Sequence, residues 1–166
     1  MSGTSGIRTK LLKVLRSIIG ALPTVLRLLL GFILLSNGWR WLHRPDAGAY
    51  LTENIQLILD RGGSVAVYRP FLTGVVLPNV GLFAWLVSWG EFLSGVSLFF
   101  GLASRVGAAV AAFLFLNYGL MGGPGMSFQV HGILILILFV TVKWQSGRRF
   151  GGDRFLHRRW PSIKVW

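Results

Sequence analysis

Few residues in this chain could do chemistry, and most of them stand inside apolar runs. Glu91, in Trp89-Gly90-Glu91-Phe92, interrupts a long hydrophobic stretch. A carboxylate at that depth in hydrocarbon costs about 2.5–3.5 kcal/mol on insertion scales, so it must be protonated, paired or beside water. It could handle a proton or bond a polar ligand such as a quinone head. It could equally be half of a buried ion pair with Arg27. Counted at about 1.5 Å per residue, Glu91 lies about 9 Å deeper than Arg27, within reach of two extended side chains. Arg27 has a third option, which is to snorkel to the interface. His131, with Gln129 nearby, could bond a quinone carbonyl, or it could be a satisfied polar group near the interface. As a haem or chlorophyll ligand it is the weaker candidate, because His43 and His157 fall on opposite sides of the membrane and neither supplies a second axial ligand. Asn117 and Tyr118, with Asn37 and Trp39, could complete a polar pocket with His131, or form interhelical hydrogen bonds and an aromatic belt.

Other chemistries are excluded outright. The 166 residues contain no cysteine, which removes disulfides, CxxC redox pairs, cysteine-ligated iron–sulfur clusters or zinc, attached c-type haem and a cysteine nucleophile. No covalent cofactor and no metal set is expected. Any electron transfer needs a cofactor held another way, or a partner chain. Hydrophobic residues make up 53% of the chain and charged ones 13%, too apolar for disorder or for an ordinary water-soluble domain.

The elements that must position these residues are membrane helices. Four apolar runs, at 22–42, 80–102, 103–121 and 127–144, each approach the roughly 20 residues needed to cross the hydrocarbon layer. The expected fold is a single-domain, all-α, integral membrane four-helix bundle. Pro23 suits a first helical turn. Leu102-Ala103-Ser104-Arg105 reads as a tight turn that makes the second and third helices antiparallel neighbours, and Gly122-Gly123-Pro124-Gly125 as another turn. In residues 1–21, Ile7, Leu11, Leu12, Leu15, Ile18 and Ile19 recur at helical spacing opposite Lys10, Lys13 and Arg16, which predicts an interfacial helix. A signal peptide is rejected because the run is of full spanning length and Gly38-Trp39-Arg40-Trp41 offers no small-residue cleavage site. Tyr50, Leu51, Ile55, Ile58 and Leu59 suggest an extracytoplasmic amphipathic helix ended by Gly62-Gly63, followed by an outer-surface or re-entrant segment over Val65–Leu77. Gly90, Ser94, Ser97 and Gly101 in the second span, with Ala103, Gly107 and Ala111 in the third, provide close-packing faces.

The excess of 17 Lys+Arg over 5 Asp+Glu sets the orientation. Twelve of the seventeen lie in the N-terminal segment, at Arg105 and in the 145–166 tail with Lys143, so both termini are expected in the cytoplasm and the protein in the inner (cytoplasmic) membrane. Topology and attraction to anionic membrane lipid account for this charge, and nucleic acid is not an expected partner.

The sequence resembles the DoxX/DoxD-type membrane proteins, to which a membrane subunit of thiosulfate:quinone oxidoreductase belongs. The resemblance rests on Arg27-Leu28-Leu29-Leu30-Gly31 with Asn37-Gly38-Trp39, Gly90-Glu91-Phe92-Leu93-Ser94-Gly95, Phe99-Phe100-Gly101-Leu102-Ala103-Ser104-Arg105, Leu116-Asn117-Tyr118, and a tail from Ser146 to Arg154 in which Gly152 replaces the usual Leu. It implies a four-helix subunit, in some members tied to quinone reduction with electrons from thiosulfate or related sulfur species, and it carries over Arg27 and Glu91 as candidate catalytic positions. His131, Asn117 and Tyr118 remain candidate quinone contacts. Two readings stay open: a quinone-facing oxidoreductase subunit whose partner supplies electrons, and a non-catalytic accessory subunit of a larger respiratory or photosynthetic complex. A transporter or channel is disfavoured by the scarcity of intramembrane polar groups and the lack of an internal repeat.

Overall fold

The computed structural model describes residues 3–144 and 151–159, and of residues 3–11 and 13–19 the backbone alone. The amphipathic face expected of 7–19 therefore lies largely outside the described side chains, as does most of the 145–166 tail. Among the described residues every regular element is helical: α1 (Gly3–Leu42), α2 (Ala47–Asp60), a winding segment over residues 66–79, α3 (Val80–Phe100), α4 (Ser104–Gly122), α5 (Met126–Lys143) and α6 (Asp153–Arg159). Among the described residues, four stretches are long and apolar enough to cross a membrane: Gly20–Leu42, Ala66–Phe100, Ser104–Gly122 and Met126–Lys143.

Two expectations change. Pro23 lies inside α1, which runs unbroken through it, so the first span and the residues before it share one helix. The stretch read as an outer-surface or re-entrant segment is helical over residues 66–79 and continuous with the second span: a 3-10 turn, one α turn, a π segment over Leu72–Val76 and a second 3-10 turn lead directly into α3. Proline explains this unevenness: Pro70 and Pro78 each remove a backbone donor, and wider or tighter turns absorb the gap.

The spans are apolar on nearly every side, and small residues decide how they meet. A Cβ at Gly31 would strike the backbone of Phe99, one at Gly38 the backbone of Phe92, and one at Gly95 the backbone of Leu35. α1 and α3 thus run antiparallel in backbone contact, with 31, 35 and 38 opposite 99, 95 and 92. α3 ends at Gly101, which takes φ +67°, and both Gly101 and Leu102 donate their amides to Ser97 O, the latter at 3.0 Å. Ala103, at φ +50°, completes the turn into α4. Among the described residues there are two cores. Leu30, Leu34, Leu98, Ala111, Phe115 and Leu138 join α1, α3, α4 and α5, while Leu51, Ile55, Leu72, Val76 and Ala84 join α2 to the winding segment and the start of α3.

Candidate functional site

Along α3 the buried positions are Ala84, Ser88, Glu91, Ser94, Gly95 and Leu98. Their spacing of three and four is one stripe of a helix, and Glu91 stands in it. Its neighbour across the bundle is set by α4: the Tyr118 hydroxyl donates to Glu91 Oε1 at 2.6 Å. Glu91 is only 3% exposed, and its Oε2 has no hydrogen-bond partner among the described residues. The cation that acts on it is Arg40 of α1, an exposed residue hydrogen-bonded to the Asn37 side-chain carbonyl.

The expected Arg27–Glu91 pair is not what forms. The register places Arg27 at Gly101, where a Cβ would strike its guanidinium, and Gly101 is ten residues along α3 from Glu91. At 1.5 Å per residue that is about 15 Å, beyond the reach of both side chains together with good geometry. The carboxylate acting on Arg27 is instead Asp153. Asp153 accepts the Ser104 amide at 3.1 Å, capping α4 from a distant part of the chain, while its own amide donates to Gly101 O at 2.6 Å and that of Gly152 to Phe100 O at 3.0 Å. The two buried groups thus lie at different ends of the bundle, Glu91 beside Tyr118 and Arg27 beside the turn at Gly101.

Asn117 and Tyr118 are neighbours on α4, and both line a cleft of about 470 Å³. Its walls come from α2, the winding segment, α3 and α4, and they are apolar and aromatic except at Asn117, Tyr118 and Tyr68. The Tyr68 hydroxyl donates to Asn117 Oδ1 at 2.5 Å, and Asn117 Nδ2 donates to Phe113 O at 2.7 Å, so one amide hydrogen of Asn117 remains for a ligand. Trp85, Leu93 and Phe113 on the cleft's rim are all more than half exposed, which in a membrane means that the cleft opens to lipid. His131 does not line this cleft. Its ring packs 5.7 Å from that of Tyr118, and its Nδ1 donates to Ser127 O at 2.7 Å, leaving Nε2 as the acceptor in the neutral tautomer. Asn37 and Trp39 belong to α1 and stand apart from the cleft, Trp39 stacking on His43.

Sequence reasoning missed Tyr68, Arg40 and Asp153. Tyr68 was legible as a polar aromatic in an apolar segment, and Asp153 as the one acid in a basic tail; nothing in the sequence pointed Arg40 at Glu91. Among the described residues no group of three His, Asp or Glu side chains could hold a metal.

A quinone suits this donor set. The cleft offers an apolar body site open to lipid, an amide donor at Asn117, two phenolic oxygens, and behind Tyr118 a buried carboxyl oxygen with no hydrogen-bond partner among the described residues. A sequence model of the DoxX family matches residues 22–121, which include Arg27, Glu91, Asn117 and Tyr118. No curated protein and no solved structure matches the chain.

Proposed function

The chain belongs to the DoxX family and is a multi-pass membrane protein; from that premise we propose that it is the quinone-binding membrane subunit of an oxidoreductase whose partner supplies the electrons. The observation that carries this reading is that Tyr118 both lines the lipid-open cleft and donates to buried Glu91 at 2.6 Å. A bound quinone supplies two-electron, two-proton chemistry, ending in the quinol. Asn117 and Tyr68 hold and orient the polar head, and the aromatic walls exclude water. Glu91 stores a proton behind Tyr118: the phenol turns to give its own proton to the polar head, and the carboxyl replaces that proton across the bond the two side chains share. His131 braces the Tyr118 ring from the other side. Arg27 lines neither the cleft nor the Glu91 site and acts as a buried structural cation at the turn around Gly101.

The chain has no cysteine, so the electron donor, a thiosulfate-like sulfur species where the resemblance holds, is oxidised on the partner. The test is to purify the assembly from its native membrane and to measure extracted quinone per chain and quinone-linked turnover in wild type, Glu91→Gln and Asn117→Leu. Bound quinone, with turnover lost on Glu91→Gln, supports the reading. A preparation without quinone whose turnover ignores both changes overturns it and assigns the chain an accessory role in its complex.

A further inference from the structure

The short helix α6 divides into two faces. Asp153, Leu156 and His157 are buried or half-buried, while Arg154, Phe155, Arg158 and Arg159 are exposed. Those are the i, i+3, i+4 and the i, i+1, i+4, i+5 positions, opposite sides of one helix. The inward face is fastened by Asp153, whose carboxylate accepts from the Ser104 amide and whose own amide donates to Gly101 O. Those bonds go to the turn where α3 ends and α4 begins, so α6 lies at the edge of the apolar layer, at the end of the bundle where Lys143 and Trp144 close α5.

Fastening also changes the surface charge. Asp153 is the only acidic residue from position 143 onward, against Lys143, Arg148, Arg149, Arg154, Arg158, Arg159 and Lys164. Folding buries it to 2% exposure, so the residue that clamps α6 is also the carboxylate removed from the surface. What remains outside is three guanidiniums around Phe155, which is 81% exposed.

We propose that the outward face of α6 docks on anionic phospholipid headgroups of the membrane the chain spans. Guanidinium N–H forks match phosphate oxygens in pairs, and each basic residue near an anionic membrane surface is worth about fivefold in affinity. Phe155 selects lipid over an acidic polypeptide: an aromatic ring held bare among charges at the edge of the hydrocarbon layer reaches the acyl boundary beneath the headgroups. The Asp153 clamp is the positioning element, because without it the three arginines lose their common plane against the membrane.

The full-length protein in neutral detergent is titrated with phosphatidylglycerol, phosphatidylcholine or inorganic phosphate, reading Tm by tryptophan fluorescence and retained lipid by native mass spectrometry. Phosphatidylglycerol is expected to raise Tm and to stay bound, while phosphatidylcholine and free phosphate do neither. The combined change Arg154→Gln, Arg158→Gln, Arg159→Gln is expected to weaken the apparent phosphatidylglycerol affinity on the order of a hundredfold, with Tm in its absence unchanged. Asp153→Asn is expected to blunt the lipid response although every arginine remains. Equal responses to the two lipids, or a full phosphatidylglycerol response in the triple variant, overturn the proposal; so does loss of an acidic protein partner from the triple variant without loss of lipid.

Discussion

Glu91 and Tyr118 separate structural from chemical roles because two substitutions affect them differently. Glu91→Gln keeps the shape and an amide oxygen that still accepts from Tyr118, so Tm is expected to stay within a degree or two of wild type while quinone-linked turnover falls at least about a hundredfold, the usual scale of a general acid–base contribution. Tyr118→Phe removes the phenol that donates to a carboxyl only 3% exposed and is expected to cost about 1 kcal/mol, read as a lower melting temperature, besides slowing turnover. Matched loss of stability in both variants would instead make the carboxyl a packing element. Glu91 itself was legible, because a lone carboxylate in an apolar run always demands an account. Its partners were not. An ionisable group announces that it needs a partner, but which side chain meets it depends on helix register, and here register brings Tyr118 to Glu91 and sets Arg27 against Gly101.

Register, at the scale of the elements, is written in glycines that composition alone does not distinguish. The small residues read from the sequence on the second and third spans do pack: Gly107 lies against Ser97, and Ser94 and Ala111 are buried. α1 and α3, however, approach at Gly31, Gly38 and Gly95, where backbone meets backbone. Gly132 on α5, by contrast, faces open space, and a Cβ there would meet nothing within 4 Å. Gly38→Ala is therefore expected to destabilise by about 2–3 kcal/mol, since the only relief is for α1 and α3 to move apart. Gly132→Ala is expected to be neutral or to stabilise by about 0.5–1 kcal/mol through reduced backbone entropy. Thermal melts of the two variants side by side check the register, and equal effects would mean that α1 and α3 do not meet as described. The winding segment before α3 was unreadable for a related reason. Arg69-Pro70 and Pro78 look like breakers, yet π and 3-10 turns let the helix continue past both, and Tyr68 reaches Asn117 only because it does.

The two ends of the whole molecule are chemically unlike. One carries Arg27, Asp153, Arg105, Lys143 and the arginines of α6; the other carries α2 and the turn before it, where Arg44 and Asp46 lie 3.9 Å apart on the surface, and Glu53 and Asp60 dilute the remaining arginines. Four crossings put the start of the first span and the end of α5 at the same end, and that end holds the concentrated positive charge. Lys and Arg resist translocation, whereas mixed loops pass, so the α2 end is expected outside and the α6 end in the cytoplasm. This placement also fits the proposed chemistry, because Glu91 and the polar end of the cleft sit toward α2, nearer the outer surface. The absence of native cysteine makes the orientation directly measurable. Glu53→Cys on exposed α2 is expected to react with a membrane-impermeant maleimide in intact spheroplasts, and Ser162→Cys only after permeabilisation. The reverse pattern would invert the topology and put proton exchange at Glu91 near the cytoplasm; labelling of both from one side would rule out an odd number of crossings between them and with it the four-span arrangement on which the cleft depends.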